Sequence, residues 1–133
     1  MDVTDKKVAQ AALLAELRAV LPADGLLTEA AERRVYECDA LANYRALPLA
    51  VALPETVEQV QALLRLCRRH GVPVVPRGAG TGLSAGALPR EDGILLSMTR
   101  FDRILEIDPD NRIAHVQPGV RNLAVSEAAA VQD

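Results

Sequence analysis

A chain of 133 residues, half of them apolar, allows one domain with a modest core. Its net charge of −3, with acids and bases interspersed, leaves no basic footprint for nucleic acid and no polybasic patch for lipid, and its three aromatics, Tyr36, Tyr44 and Phe101, make no base-stacking platform. Cys38 and Cys67 lack companion cysteines or suitably placed histidines, which argues against a zinc site or disulfide framework and for free thiols in a reducing compartment.

With no signal sequence at the start and no apolar stretch of membrane-spanning length, a cytoplasmic location without a transmembrane segment is expected. The first element is a helix that Thr4 or Asp5 can cap, with Val8, Ala11, Ala12, Leu14, Leu17, Val20 and Leu21 mostly on one face, stopped by Pro22 and Gly25. Residues 26–39 read as a short helical or irregular approach in which Glu29, Glu32, Arg33 and Arg34 form a solvated face. Leu47 to Leu53, bounded by Pro48 and Pro54, reads as a short buried strand. The next helix has a capping box in Thr56 and Gln59, an apolar stripe in Val60, Leu63, Leu64 and Cys67, and a stop at Gly71. Arg65, Arg68, Arg69 and His70 fall in its last two turns, where they favour the negative end of the helix dipole; that is a sufficient role for His70 without catalysis.

Residues 72–75 form the strand that delivers the densest glycine stretch of the chain, Gly78, Gly80, Gly82 and Gly86, at its carboxyl end. A strand-helix-strand unit of this length implies parallel pairing through a right-handed crossover. Glycines at this density let main-chain N–H groups converge on an anion, most commonly a phosphate, and Arg77 adds a cation at the mouth. A long surface turn without a ligand is the bland alternative. A Walker A loop is excluded because no lysine follows Lys7. Gly80-Thr81-Gly82-Leu83-Ser84-Ala85 fits the dinucleotide pattern Gly-x-Gly-x-x-Gly/Ala, with Asp102 near the distance of a ribose-binding acid, so a nicotinamide-dinucleotide unit is an alternative. That alternative requires a helix beginning near Gly82, against which Gly86, Pro89 and Gly93 argue. Ile94 to Met98 is the following strand, and 103–107 with 112–117 reads as a hairpin turned by Asp108-Pro109-Asp110-Asn111, His115 being a packing or surface residue of its second strand. Pro118-Gly119 ends that strand, and an alanine-rich helix runs from Leu123 through Val131 towards Asp133. The strands are expected to join in one sheet, apolar on both faces.

The loop Pro76-Arg77-Gly78-Ala79-Gly80-Thr81-Gly82, preceded by a helix and a Val-Pro-Val-Val strand and followed by Gly-Ile-Leu-Leu-Ser-Met, resembles the pyrophosphate loop of the vanillyl-alcohol-oxidase-type (PCMH-type) FAD-binding domain. Tyr36-Glu37-Cys38-Asp39, Tyr44-Arg45-Ala46-Leu47-Pro48, Pro54-Glu55-Thr56-Val57-Glu58-Gln59-Val60 and Val116-Gln117-Pro118-Gly119-Val120 extend the resemblance over most of the chain, which is most similar to flavin subunits of the glycolate oxidase and D-lactate dehydrogenase type. The resemblance implies an α/β (α+β) fold: the N-terminal subdomain of the PCMH-type domain, a small mixed parallel and antiparallel sheet with flanking helices. It implies residues 1–46 as an N-terminal helical segment and 47–133 as the first subdomain, with FAD held by Pro76, Arg77, Gly78, Ala79, Gly80, Thr81, Gly82, Leu83, Gly86, Pro118 and Gly119.

Members that bind FAD covalently often carry histidine at the position of Thr81, so noncovalent FAD is expected, with the threonine hydroxyl free to donate to a phosphate. Ala85 stands where the family commonly has glycine; if that position needs positive φ, the alanine costs about 1 kcal/mol. The family's second subdomain and substrate domain are not in this sequence, which implies an N-terminal fragment or truncated product of a 2-hydroxy-acid oxidoreductase, with no catalytic or metal residues of its own and other subunits of an oxidase as possible partners. The alternative to a cofactor-binding part is a noncatalytic remnant that folds by oligomerising, and the exposed sheet face expected without a second subdomain favours a homo-oligomer.

Overall fold

Strand β4 (Ile94–Ser97) is buried along its whole length, and the reason is topological. In the computed structural model, which describes residues 3–131, β4 lies between two parallel partners, β2 (Ala50–Ala52) and β3 (Val74–Arg77). A strand flanked on both edges and covered on both faces reads as a continuous apolar run, as Ile94-Leu95-Leu96 does. The sheet has four strands in the order β1-β2-β4-β3, where β1 (Leu26–Leu27) is a short antiparallel edge. β3 is the other edge, where Pro76, lacking an N–H, is tolerated. Thus β2 and β3, joined by helix α3 (Val57–Arg69), are not neighbours: β4 inserts between them, which corrects the expectation of direct pairing.

Side-chain alternation divides the core in two. Ala50, Ala52, Ile94 and Leu96 face a helical layer made by helix α1 (Val3–Val20) and α3, and pack with Leu13, Leu17, Leu63 and Cys67. The two alanines leave room for both helices to approach the sheet closely. Within α1 the buried face is Leu13, Leu17 and Leu21; Val8, expected inside, is 65% exposed. In α3 the capping box of Thr56 and Gln59 is present, but Leu66 rather than Leu64 completes the inner stripe. Burial of Cys67 pushes its thiol up to about 11, as expected of an inert core cysteine.

Val51, Leu53 and Leu95 point to the opposite face, which Leu27, Tyr36 and Val75 cover. Leu27 and Val75 are neighbouring positions of the sheet itself, while Tyr36 comes from the irregular segment 35–47, not a helix, which follows a single short helix, α2 (Ala30–Arg34). Arg33 is not solvated as expected; its Nη1 donates to the carbonyls of Pro48 (2.6 Å) and Leu49, tying α2 to the entry of β2.

The hairpin of β5 (Ile104–Asp108) and β6 (Ile113–Val116) forms a separate two-stranded sheet, so the single five-stranded sheet read from the sequence is corrected to two. Asp108 Oδ1 and Oδ2 accept from Asn111 N (3.0 Å) and Nδ2 (2.7 Å) to close its turn, and Arg112 takes φ +56°. Helix α4 (Asn122–Ala130) packs on β5 rather than on the main sheet. Among the described residues no helix is long and apolar enough to cross a membrane. Thr4 and Asp5, each expected as a cap, already lie within α1, so neither caps it; the chain end at Asp133 lies outside the described residues.

The two core helices are also clamped at their surface. Glu16 of α1 accepts from His70 Nε2 (2.9 Å) and pairs with Arg69, and the hydrogen bond to His70, followed by the charge of Arg69, holds the Glu16 carboxyl below its usual value. A carboxylate depressed in the folded state stabilises above its unfolded pKa, and that contribution disappears as pH falls through the folded value. Urea unfolding between about pH 5 and 3 should therefore show a steeper loss of stability for the unmodified chain than for Glu16→Gln. Equal slopes would show the clamp to be energetically silent.

Candidate functional site

β3 and β4 run parallel, so their carboxyl ends emerge side by side, and Met98 N donates to Arg77 O (2.8 Å) where they leave the sheet. From β3 comes the glycine loop; from β4 comes the turn Thr99–Asp102. The crevice beyond the carboxyl ends of strands is where open α/β sheets bind ligands. A third segment is brought in by the β6–α4 turn: Gly119 N donates to Phe101 O (2.7 Å), and a Cβ there would run into the carbonyls of Met98 and Phe101. Only glycine allows that approach.

The three segments enclose a cavity of about 480 Å³. Four of the residues expected to hold a cofactor line it, namely Gly78, Ala79, Pro118 and Gly119. Thr99, Asp102, Arg121 and Asn122 line it as well. Arg121 and Asn122 lie two and three residues beyond the Pro118-Gly119 pair, which does point there, but no motif marks them. Arg121, the N-cap of α4, is extended and makes no side-chain cap, so the first N–H groups of α4 have no side-chain acceptor.

The remaining expected residues sit elsewhere. Thr81, Gly82, Leu83 and Gly86 are exposed along the loop, and Pro76 is on the outer edge of β3. Arg77 is not a free cation at the mouth: its Nη1 donates to Cys38 O (2.6 Å) and its guanidinium lies 5.5 Å from the centre of the Tyr36 ring. The cation that lines the cavity is Arg121. Gly80 has φ +73°, and a Cβ there would strike the Arg77 guanidinium, so this glycine serves the loop's own shape. By contrast, a Cβ on Gly78, Gly82 or Gly86 would meet open space.

Two observations test whether this loop fits a phosphate. No folding contact requires glycine at 78 or 82, and among the described residues none of the main-chain N–H groups from Gly78 to Ser84 donates to another protein group. A row of free N–H donors at a strand's carboxyl end suits an anion. The loop runs on to β4 through turns, with no helix between Thr81 and Gly93. The nicotinamide alternative needed one near Gly82, and is corrected accordingly. Among the described residues no group of side chains could hold a metal ion.

The loop carries a measurable strain. Ala85 has φ +57°, a conformation in which an alanine costs about 1 kcal/mol relative to glycine. Ala85→Gly should raise the melting temperature, whereas Arg77→Ala, which removes a charge-assisted bond to Cys38, should lower stability by about 1.5–3 kcal/mol. Thermal denaturation of the two variants checks both signs.

Residues 48–133 match the family described as FAD binding domain. The chain is 54% identical over 123 residues to "Glycolate oxidase subunit GlcD" of Escherichia coli K12, covering 92% of this chain and 25% of that protein. It is 43% identical over 98 residues to the Bacillus subtilis protein of the same name, covering 74% and 21%. It is 39% identical over 116 residues to a D-2-hydroxyglutarate dehydrogenase of Xanthomonas citri pv. viticola, covering 87% and 25%. The chain thus spans about a quarter of the length of these relatives. Among solved structures, p-cresol methylhydroxylase with substrate bound superposes with a TM-score of 0.81 at 26% identity, over 93% of this chain and 25% of that one. Alkyldihydroxyacetonephosphate synthase, at TM-score 0.79 and 20% identity over 92% of this chain and 27% of that one, shares the fold. The fold, the glycine loop at the carboxyl ends of β3 and β4, and the match over residues 48–133 together show that the chain belongs to the FAD binding domain family, with the PCMH-type architecture.

Proposed function

We propose that this chain is the pyrophosphate-binding part of a flavin-dependent oxidoreductase acting on a 2-hydroxy acid of the glycolate or D-lactate type. The observation that carries the reading is the run of main-chain N–H groups from Gly78 to Ser84 that, among the described residues, have no protein acceptor, its first two residues lining a cavity between strand ends. The similarity to glycolate oxidase subunits at 54% identity supports the substrate class. Bound FAD would supply the two-electron acceptor for oxidation of a hydroxyl to a carbonyl. The chain's own residues position that group. N–H groups of Gly78, Ala79 and Gly80 bind phosphate oxygens, and the Thr81 hydroxyl donates to one of them. Leu83, 72% exposed on the loop, gives apolar contact to the cofactor, and Gly82 and Gly86 let the backbone approach it. Pro76 and Arg77 fix the root of the loop, while Pro118 and Gly119 bound the cavity on the far side. Threonine at 81 forms no bond to flavin, so the cofactor is held noncovalently.

Residues 1–46 then serve as a supporting segment and 47–133 as the cofactor-binding subdomain of a larger assembly, whose other parts supply the groups around the substrate. Other subunits of an oxidase are natural partners, as the word subunit in the relatives' name suggests. For the chain by itself we propose self-association through the hairpin and α4, where Ile113 (59% exposed) and Leu123 (68%) are presented to solvent. The main sheet needs no such partner, since both its faces are covered.

Titration calorimetry should show FAD and ADP bound in preference to NAD, and denaturation should release the flavin intact. NAD bound with FAD and ADP ignored would overturn the reading. Gly78→Val should abolish nucleotide binding with little change in melting, because its side chain enters open space where the phosphate belongs and touches no part of the core. Sedimentation at tens of micromolar should give a dimer or larger species, and a clean monomer would refute the self-association.

A further inference from the structure

The cavity carries one group that phosphate binding does not use. Asp102 lies in the turn after β4, exposed, and among the described residues it has no hydrogen-bond or ion-pair partner. It shares the cavity with Gly78 and Ala79 on one side and Arg121 on another. A carboxylate only accepts hydrogen bonds and repels a phosphate, so an anion in this space is driven towards the N–H groups of the loop and the Arg121 end. What a carboxylate receives well is a pair of neutral hydroxyls, the way an acid recognises a ribose diol in dinucleotide sites of unrelated fold. The neighbouring Thr99 hydroxyl does not compete for this role, being shared with Ser97 Oγ at 3.1 Å. The cavity, about 480 Å³, is in the size range of small-molecule sites and has room for more than a pair of phosphates.

We infer that Asp102 is the ribose-recognising residue of this site: it accepts the hydroxyls of a nucleoside diphosphate whose phosphates lie on the Gly78–Ala79 main chain, and it repels a ribose that bears an additional phosphate. The inference rests on the proposed nucleotide binding and deepens it, because it assigns specificity to a side chain that lies outside the glycine loop.

The test is calorimetric titration of the purified chain with inorganic pyrophosphate, ADP, 2′-deoxyADP and ADP phosphorylated on the ribose 2′-oxygen. The unmodified chain should bind ADP about tenfold more tightly than 2′-deoxyADP, the loss expected for one hydrogen bond to a charged acceptor, and the 2′-phosphorylated nucleotide more weakly still. Asp102→Ala should bring ADP and 2′-deoxyADP to within about twofold without weakening pyrophosphate binding, since the deleted carboxylate makes no favourable contact with phosphate. Asp102→Asn keeps an acceptor without the charge; it should retain part of the preference for ADP and admit the 2′-phosphate. An exposed side chain without a partner among the described residues should leave both variants folded, which circular dichroism would check. An unchanged ratio of ADP to 2′-deoxyADP in Asp102→Ala would overturn the assignment and leave nucleotide binding intact. Failure of the unmodified chain to bind either pyrophosphate or ADP would overturn both.

Discussion

The constraint on which this fold depends is the complete burial of β4. Ile94, Leu95 and Leu96 have no face towards water, so every polar main-chain group of the strand needs a partner on each side, and both sheet faces need a cover. Parallel pairing with β2 and β3 meets the first need; α1 with α3 and the irregular segment around Tyr36 meet the second. Substituting Leu95 would open a void between Val51 and the Tyr36 side, a loss that cores of this size tolerate poorly. Because β2, β3 and β4 all point the same way, their ends leave the sheet together. The site is a by-product of that shared direction.

What turns a shared end into a crevice is the close passage of the β6–α4 turn beneath Met98 and Phe101, which Gly119 permits. Two kinds of glycine are therefore at work. Gly80 and Gly119 satisfy the protein's own geometry, through a left-handed φ or a backbone contact, whereas Gly78 and Gly82 face empty space and have no folding reason to lack a side chain. This distinction separates the glycines that the loop's own shape requires from those that no folding contact requires.

Much of this was legible from residues alone. The α3 capping box, the hairpin turn at Asp108–Asn111 and the position of the glycine loop after a strand all follow from local chemistry, and each is found. Strand order was not legible, because nothing in the Val74-Val75 or Ile94-Leu95-Leu96 runs states that β4 enters between β2 and β3. The helical stripe of α1 departs from its sequence pattern at Val8 for a related reason: a helix rich in alanine and leucine offers more than one apolar face, and tertiary packing chooses Leu13. From the sequence Arg33 reads as solvated and Arg77 as a cation facing a ligand, since a sequence shows charge but not the distant carbonyls, Pro48 and Cys38, that claim it. Asp102 fits the dinucleotide spacing by position alone: the helix that spacing requires is absent, yet the residue does line the cavity.

The bond from Arg77 to the Cys38 carbonyl joins two regions whose roles differ, the root of the glycine loop and the irregular cover of the sheet. The cover has no helix or ladder of its own to hold it, so its local opening free energy depends on such single ties. In amide exchange, residues 36–47 and the loop root are then expected to behave as one cooperative unit: whatever steadies the loop should slow the breathing of the segment around Tyr36 that packs on Val51 and Leu95, the two losing protection together.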